Sequence, residues 1–300
     1  MTASTELVTP TGVLLGTFTP GSPEWEEARG GLCITATEIA AVLGLSPWQS
    51  RFSLWHKKAG FATPPFELSR EMKWGIRFED DIAEEFAERH PEHPLLETGT
   101  WQHRDRPWQR ATPDRLWGPG LVEIKYSPLG EGWGPDGSDE FPVHYRCQVL
   151  WQQDTLGLLE PASLAVLIGG WDYREYTVEY DPEDAELMRK AAREFLDDVT
   201  AGNRPPIDGA DATYQTIRVQ PDGREDRDVE IPFGTVCRWD AAYEAHQAAS
   251  AELTAVRGEV LDLIGNGYRA VCEGRRIAYR TVNPDGTTLA LQPYRRKDAA

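Results

Sequence analysis

The segment LVEIKY at residues 121–126 constrains the fold of this chain more than any other. The period of two in a β-strand places Val122 and Ile124 on one face. Glu123 and Lys125 then share the opposite face. Glu and Lys are poor strand formers, so their presence in an apolar strand costs stability unless it serves a purpose. We therefore expect a strand with one face in the core and a chemically active face above it.

A second strand is predicted directly before this one. Residues 110–117 have the pattern of a strand, and Gly118-Pro119-Gly120 predicts the turn of a hairpin. We expect Asp114 to lie on this first strand, on the same face as Glu123 and Lys125. The hairpin would then present two carboxylates and one ammonium group together.

Two carboxylates beside a lysine suit the hydrolysis of a phosphodiester. Mg²⁺ or Mn²⁺ is typically bound by one or two carboxylates together with water and phosphate oxygens, and it polarises the phosphate and generates hydroxide. We expect Asp114 and Glu123 to hold such an ion. Lys125 would orient or deprotonate the attacking water, or neutralise charge that develops on the phosphate. An exposed strand edge with an ion pair would show the same three residues. The surrounding sequence is therefore needed to distinguish a metal site from such an edge.

The surrounding sequence predicts a mixture of helices and strands. A helix over 71–90 has an apolar stripe at Trp74, Phe78, Ile82 and Phe86, with Gly75 and Glu79 on the adjacent stripe. Further helices are predicted at 34–44, 46–60, 143–158 and 182–200, strands at 163–168 and 174–180, and a mobile loop at 131–140. This pattern indicates an α/β (α+β) fold, with a central mixed sheet flanked by helices.

The pattern divides near residue 206, after Pro205-Pro206. We expect a catalytic domain at 1–206 and an extension of unknown role at 207–300. The extension predicts short strands at 214–219 and 228–231, a long helix at 235–264 and a closing hairpin with its turn at 283–286.

Four motifs follow one another in the first domain. They are G-x-x-x-E at Gly75 and Glu79, P-D at Pro113 and Asp114, E-I-K at 123–125, and Y-x-x-Q at Tyr145 and Gln148. This order resembles the motif set of the RecB-like, or PD-(D/E)xK, nucleases, which have a restriction-endonuclease-like core. The segment ITATEIAAVLGLSPWQSRFSLWHKKAG further resembles the YqaJ-type viral recombinases, relatives of phage lambda exonuclease. The resemblance spans roughly residues 29–206.

The resemblance implies a role for each motif residue. Asp114 and Glu123 would be direct metal ligands, together with the backbone carbonyl of Ile124. Glu79 would be an acidic ligand or a metal-organising residue, and Lys125 would be the catalytic lysine. Tyr145 and Gln148 would support the site, and their i, i+3 spacing places them on one helix face. A solvated helix glutamate is the alternative for Glu79, because it lies among other acidic residues.

The resemblance also implies a pocket for the terminal 5′-phosphate of DNA. In lambda exonuclease-like proteins an arginine and a serine near the first helix bind this group, as anions do at helix N-termini. Arg29, Thr35 and Thr37 occupy that region here. The spacing is one residue longer, threonine replaces serine, and Thr35 also has the spacing of a helix cap with Glu38.

The implied activity is a Mg²⁺-dependent exonuclease that acts on ends of double-stranded DNA, 5′-to-3′, in phage-type recombination. A single-strand annealing recombination protein would be its partner, and a homotrimer is the assembly that the family suggests. Two alternatives remain open: a DNA- or protein-binding module on the same fold without cleavage, and a nuclease of the same fold with a different DNA substrate. Trp133, in the loop after the catalytic strand, is a candidate to stack on DNA.

The charge and composition of the chain bear on the expected nuclease activity. The formal net charge of −18 argues against a protein that coats nucleic acid nonspecifically, because phosphate binding relies on clustered Lys and Arg. The basic residues of the C-terminal third, including Arg295, Arg296 and Lys297, are either DNA contacts or solvated charges. The spacing of the four cysteines predicts neither a disulfide framework nor a zinc site. With no signal peptide and no apolar run of about 20 residues, we expect a cytoplasmic protein.

Overall fold

The computed structural model describes residues 8–65, 67–221 and 223–294. These described residues divide into two compact units, one up to residue 223 and one from residue 224 to residue 294. The basic residues 295–297 lie outside the described residues. Within the described part of the chain, no helix has both the length and the apolar character needed to cross a lipid bilayer.

The first unit contains nine strands and seven helices within the described residues. The strands are β1 (Gly12–Gly16), β2 (Ile34–Thr35), β3 (Leu95–Glu97), β4 (Thr100–His103), β5 (Gln109–Ala111), β6 (Arg115–Trp117), β7 (Gly120–Ser127), β8 (Ala162–Ile168) and β9 (Asp172–Val178). The helices are α1 (Pro23–Arg29), α2 (Ile39–Val42), α3 (Arg51–Lys58), α4 (Arg70–Arg89), α5 (Val143–Leu156), α6 (Pro182–Ala201) and α7 (Asp211–Arg218).

The strands form two sheets. The larger one has the order β3-β6-β7-β8-β9, in which β7 and β8 are parallel and the other pairs antiparallel. The smaller sheet has the order β1-β4-β5-β2. The expected fold class, a mixed sheet flanked by helices, is confirmed.

Strand β7 is covered on both faces by helices. Val122 and Ile124 pack with Ile82 and Phe86 of α4. On the other face Leu121 belongs to the main core, to which α5 also contributes. The alternation predicted for residues 121–126 is therefore observed, and it directs Glu123 towards α5.

Helix α5 is almost entirely buried and is fixed at its C-terminal end. Gly157 has a φ of 73°, which a residue with a Cβ rarely adopts. A Cβ at this position would also lie 2.8 Å from Oγ1 of Thr11. The chain can therefore leave α5 sharply and return towards β8.

A buried carboxylate ties α5 to its neighbours. Asp154 accepts hydrogen bonds from Arg106 (3.1 Å), Gln109 (2.7 Å), Tyr180 (2.9 Å) and Arg189. Four donors from separate parts of the chain satisfy this one buried acid, as burial of a charge requires. The network is structural and fixes the helix from which the site glutamines project.

Several elements differ from the sequence-based expectations. The predicted helix at 34–44 is wrong, because residues 34–35 join the smaller sheet as β2 and the helix spans Ile39–Val42. The second helix begins at Arg51, capped by Ser50, rather than at 46. The loop at 131–140 is anchored on β9, because the Gly134 carbonyl accepts from the Tyr176 hydroxyl at 2.7 Å.

The end of the first unit also differs. Residues 214–219 were expected to form a strand, but they belong largely to α7. This helix packs on α3, where the buried hydroxyl of Thr213 donates to Ser50 Oγ at 2.6 Å. The boundary between the compact units therefore lies at residue 223 rather than at the expected 206.

The second unit consists of one long helix and a small sheet. Helix α8 spans Phe233–Ile264, and strands β10 (Arg269–Cys272), β11 (Arg275–Val282) and β12 (Thr288–Pro293) form an antiparallel sheet. The expected helix and closing hairpin are observed. The strand expected at 228–231 is not, since these residues form neither helix nor strand.

Candidate acidic site on the β6–β7 hairpin

Asp114 lies at a bend immediately before β6, and not within a strand as expected. The physical reason is that β5 and β6 belong to different sheets, so the chain must change direction at residues 112–114. The bend still delivers the side chain to β7, where the backbone N–H of Ile124 donates to Asp114 Oδ2 at 2.7 Å. This bond places the Asp114 carboxylate beside Glu123 and Lys125.

Glu123 is the most deeply buried acid of the site, with 1% of its surface exposed. Its Oε1 accepts from Gln148 Nε2 and forms an ion pair with Lys125 Nζ. Its Oε2 accepts from Gln152 Nε2 at 2.7 Å. Both glutamines project from α5, so the helix and the strand together fix the orientation of this carboxylate.

The two carboxylates affect each other's ionisation. Burial raises the pKa of Asp114 well above its usual range, and the negative charge of Glu123 raises it further. The positive charge of Lys125 and the N–H of Ile124 act in the opposite direction but do not compensate. The charged form of Asp114 is therefore unfavourable unless a further cation, in addition to Lys125, lies beside it.

Lys125 remains a cation in this environment. Burial acts against its charge, but Glu123 and Asp114 outweigh that effect and raise the pKa of Lys125 above its usual value. Its Nζ lies 5.2 Å from the centroid of the Tyr145 ring, within cation–π range. After burial, the charge of Lys125 is the second cause that lowers the pKa of His144 to about 4.

Glu79 reaches the same region from α4 but has a different partner. Its Oε1 accepts from Arg115 Nη1 at 3.0 Å, and the same guanidinium binds Asp80 Oδ1 at 2.6 Å. Arg115 Nη1 also donates to the carbonyl of Asp114 at 2.7 Å. The charge of Glu79 contributes to the raised pKa of Asp114, so Glu79 lies within electrostatic reach of the site. Its role as a metal ligand stays a prediction, as does that of the Ile124 carbonyl.

The three residues expected to bind a 5′-phosphate lie together. Arg29 Nη2 donates to Thr37 Oγ1 at 2.9 Å, and Thr35 Oγ1 lies 3.2 Å from Thr37 Oγ1. Arg29 Nη1 also donates to Thr112 Oγ1 at 3.3 Å, two residues before Asp114. Burial lowers the pKa of Arg29, and within the described residues it forms no salt bridge. The Arg29 guanidinium and the threonine hydroxyls around it therefore form a cationic cluster beside the acidic site.

The aromatic residues are arranged differently from the expectation. Trp133 is only 8% exposed and stacks on Tyr145 at 5.4 Å between ring centroids, so the proposal that it meets DNA is wrong. It supports Tyr145, which in turn contacts Lys125. Trp48, which is 66% exposed, lies against His144 at 4.6 Å on the neighbouring surface.

The donor set fits a hard divalent cation held mainly by two side chains. Within the described residues, no three His, Cys, Asp or Glu side chains converge closely enough to hold a metal by themselves. Mg²⁺ commonly uses one or two carboxylates and completes its shell with water and substrate phosphates. Asp114 Oδ1 has no hydrogen-bond partner in the described chain, and a cation there would relieve the repulsion that raises the pKa of Asp114.

Three residues of this arrangement were missed by the sequence reasoning. Gln152 is one helical turn from Gln148, so its i, i+4 spacing was the pattern that pointed to it. Thr112 and Arg115 flank the P-D motif directly. Their contacts with Arg29 and Glu79 depend on the tertiary fold, which no local pattern indicates.

Comparison with known proteins shows what this region is similar to. Residues 24–156 match the model of the YqaJ-like viral recombinase domain. An uncharacterized protein YqaJ from Bacillus subtilis (strain 168) is 30% identical over 205 residues, which make up 65% of this chain and 62% of that protein. The chain thus spans less than two thirds of the length of this curated relative.

Solved structures show weaker similarity. An alkaline exonuclease, LHK-Exo from Laribacter hongkongensis, aligns with 19% identity and a TM-score of 0.48 over 60% of this chain and 94% of that one. A SOX–DNA complex aligns with 12% identity and a TM-score of 0.38 over 60% of this chain and 68% of that one. The family model matches the segment that contains every residue of the acidic site. Residues 24–156 are therefore similar to the YqaJ-like viral recombinase domain, in agreement with the order of the four motifs.

Proposed function

We propose that this protein is a metal-dependent deoxyribonuclease, an exonuclease that hydrolyses phosphodiester bonds from the ends of double-stranded DNA in the 5′-to-3′ direction. One observation carries the proposal: Asp114 and Glu123 lie together beside the ammonium group of Lys125. The similarity of residues 24–156 to the YqaJ-like viral recombinase domain supports a role in recombination.

Asp114 and Glu123 would hold Mg²⁺, or Mn²⁺ in its place. When bound, such an ion polarises the phosphate and makes hydroxide accessible at neutral pH. Gln148 and Gln152 hold Glu123 in one orientation, so little reorganisation is needed at the carboxylate. The N–H of Ile124 does the same for Asp114.

Lys125 would act as a cation and not as a base. Its raised pKa keeps the ammonium group protonated near neutral pH. A fixed positive charge stabilises the negative charge that develops on the phosphate during hydrolysis. The ring of Tyr145 and the Trp133 behind it restrict where this ammonium group can lie.

Arg29, Thr35 and Thr37 would bind the terminal 5′-phosphate and set the polarity. Arg29 supplies charge, and its observed partners are neutral hydroxyls that a phosphate could replace or join. Its hydrogen bond to Thr112 places this cluster beside the bend that carries Asp114. A terminal phosphate bound there would present the adjoining phosphodiester to the acidic site.

The wider biological setting follows from the same proposal. Double-stranded DNA would be the substrate, and a single-strand annealing recombination protein would receive the product. A homotrimer, as the family suggests, would keep a strongly acidic chain on DNA by enclosing it. The cytoplasm of a bacterial or phage-infected cell would be the place of action.

The test uses duplex DNA labelled at one 5′ or one 3′ end. The full chain is incubated with Mg²⁺, with Mn²⁺ or with EDTA, on 5′-phosphorylated and 5′-hydroxyl ends. We expect metal-dependent release of 5′-terminal nucleotides, faster from phosphorylated ends. An intact substrate in both metals would refute the enzyme, and duplex binding without cleavage would support a binding module instead.

A further inference from the structure

The three strands of the second unit carry positive charge in an otherwise acidic chain. Strands β10, β11 and β12 contain no Asp or Glu and four arginines, which are Arg269, Arg275, Arg276 and Arg280. The chain as a whole has a formal net charge of −18. Arginines clustered on one small sheet give this unit a local surface that can attract phosphates.

The acidic residues closest in sequence to these arginines lie in the turns. Glu273 is in the turn between β10 and β11. Asp285, in the turn between β11 and β12, accepts hydrogen bonds from the backbone N–H and the hydroxyl of Thr287, at 2.9 and 2.6 Å. The ion pairs among the described residues of this unit lie at residues 224–227, before α8. The positive charge of the sheet is therefore not cancelled by ion pairs within the part of the chain that the structure describes.

Three tyrosines pack against one another on this sheet. The ring centroids of Tyr268 and Tyr279 are 6.2 Å apart, and those of Tyr279 and Tyr294 are 5.2 Å apart, both with the edge of one ring towards the other. The guanidinium of Arg269 lies over the Tyr268 ring at 4.8 Å. That of Arg276 lies over the Tyr294 ring at 5.7 Å, and both distances are within cation–π range. These five residues form one cluster of rings and guanidinium groups, which we call the Tyr/Arg face.

The register of the strands places the centre of this cluster on one side of the sheet. Arg269 lies directly opposite Tyr279, and Tyr279 lies directly opposite Gln292. Residues directly opposite each other on antiparallel strands project from the same face. The neighbouring residues Ala278 and Leu291 project from the other face and are buried. The sheet therefore has one apolar, buried face and one face of tyrosine, arginine and glutamine.

The Tyr/Arg face combines the two features that recognise single-stranded nucleic acid. Tyr268 is 56% exposed, and Arg269 and Arg276 are also exposed. Unpaired bases stack on aromatic rings, while cations beside the rings bind the phosphates that join those bases. The bases of a duplex are already stacked on one another, so their faces are not available to tyrosine rings. The face is therefore suited to a single strand and not to a duplex.

We propose that the Tyr/Arg face binds single-stranded DNA, with bases on the tyrosine rings and phosphates on Arg269 and Arg276. The choice of DNA over RNA rests on the proposed exonuclease, which would leave one strand unpaired as it removes the other. Binding itself rests on the second unit alone and needs no metal. It gives the extension a role, which is to retain the unpaired strand on a chain whose net charge repels DNA.

The first test measures binding of the full chain to a circular single-stranded oligodeoxynucleotide in EDTA, by fluorescence anisotropy. A circle has no 5′ end and EDTA removes the metal, so a failure of the proposed cleavage or of the proposed phosphate pocket would leave this result unchanged. We expect the circle to bind at least about tenfold more tightly than a covalently closed duplex, because only the single strand adds stacking to the phosphate contacts. Absence of binding, or equal binding of the duplex, would overturn the proposal. Tighter binding of a circular RNA of the same sequence would refute DNA as the ligand.

The second test separates stacking from charge. Tyr268→Ala should weaken binding of the circle at least about fivefold without changing its salt dependence, and Tyr268→Phe should retain binding because it keeps the ring. Arg269→Ala should reduce the steepness of log Kd against log salt concentration by about 0.7, the contribution of one phosphate contact on a single strand. Tyr243→Ala and Arg257→Ala, at exposed positions of α8, are the matched controls and should bind like the wild type.

The results that would contradict the assignment are equally specific. Wild-type affinity in Tyr268→Ala, or an unchanged salt dependence in Arg269→Ala, would refute the Tyr/Arg face as the binding site. Circular dichroism of each variant checks that the chain still folds. Because Tyr268 and Arg269 are exposed, we expect both variants to fold like the wild type.

Discussion

Asp114 provides a test in which stability and activity are expected to change in opposite directions. Its pKa is raised in the folded protein, first by burial and then by Glu123. A group with a raised folded pKa stabilises the protein only at low pH, and this contribution is lost as the pH rises through the folded pKa. At neutral pH without metal, the Asp114 carboxylate therefore destabilises the fold.

Asp114→Asn should remove this cost while keeping the hydrogen bond. The amide oxygen can still accept from the N–H of Ile124, which is the one bond that the structure gives to the side chain. The lost attraction to Lys125 offsets part of the gain. We expect a net stabilisation of about 0.5 to 2 kcal/mol, in the range of other relieved functional sites. For a domain of this size, each kcal/mol raises Tm by about 2–4 °C.

The assay is thermal unfolding in EDTA at pH 7 and at lower pH, with Asp81→Asn as the control. Asp81 is exposed on α4, so its substitution changes the net charge equally without relieving a buried site. The gain of Asp114→Asn should shrink as the pH falls and the wild-type carboxyl becomes protonated. The same variant should lose cleavage and the stabilisation by Mg²⁺. A lower Tm for Asp114→Asn at pH 7 would refute this reasoning.

Three further substitutions test residues that orient the acidic site or lie beside it. Gln152→Ala should leave Glu123 Oε2 without its donor and lower the free energy of unfolding, measured in urea, by about 1–3 kcal/mol. An unchanged free energy of unfolding would show that this bond is unimportant. Arg29→Ala should reduce the preference for 5′-phosphorylated over 5′-hydroxyl ends by about tenfold, since charge-assisted bonds contribute about 1.5–3 kcal/mol. An unchanged ratio of the cleavage rates on the two kinds of end would show that the phosphate binds elsewhere. Asp154→Ala should lower Tm by about 6 °C or more, because it leaves the buried charges of Arg106 and Arg189 without their partner. Asp197→Ala, on the exposed face of α6, is the control and should leave Tm almost unchanged.

The sequence was most informative where local periodicity determines structure. The alternation in residues 121–126 predicted both faces of β7, and the apolar stripe of α4 predicted a helix that is observed within one residue at each end. Such patterns persist because the core on each face of the sheet requires them. The proximity of Glu123, Lys125 and Gln148 followed from these elements and the motif order.

The sequence-based predictions that were wrong concern residues whose structure depends on tertiary contacts. Nothing local indicates that β5 and β6 enter different sheets, so Asp114 was placed in a strand instead of at a bend. Trp133 was read as exposed because its loop is rich in Gly and Asp, yet bonds to β9 draw that loop over Tyr176. Residues 214–219 combine β-branched and aromatic side chains, but packing on α3 makes them helical.

The most direct test of the central claim is the single-turnover rate of duplex cleavage in Mg²⁺ for the wild type, Glu123→Ala and Lys125→Ala. Lys190→Ala, on the exposed surface of α6, controls for loss of a positive charge. We expect each site variant to lose at least about 100-fold in rate, as removal of a preorganised electrostatic group does, while Lys190→Ala remains at the wild-type rate. A wild-type rate in either site variant would contradict the assignment of Glu123 and Lys125 to the catalytic centre.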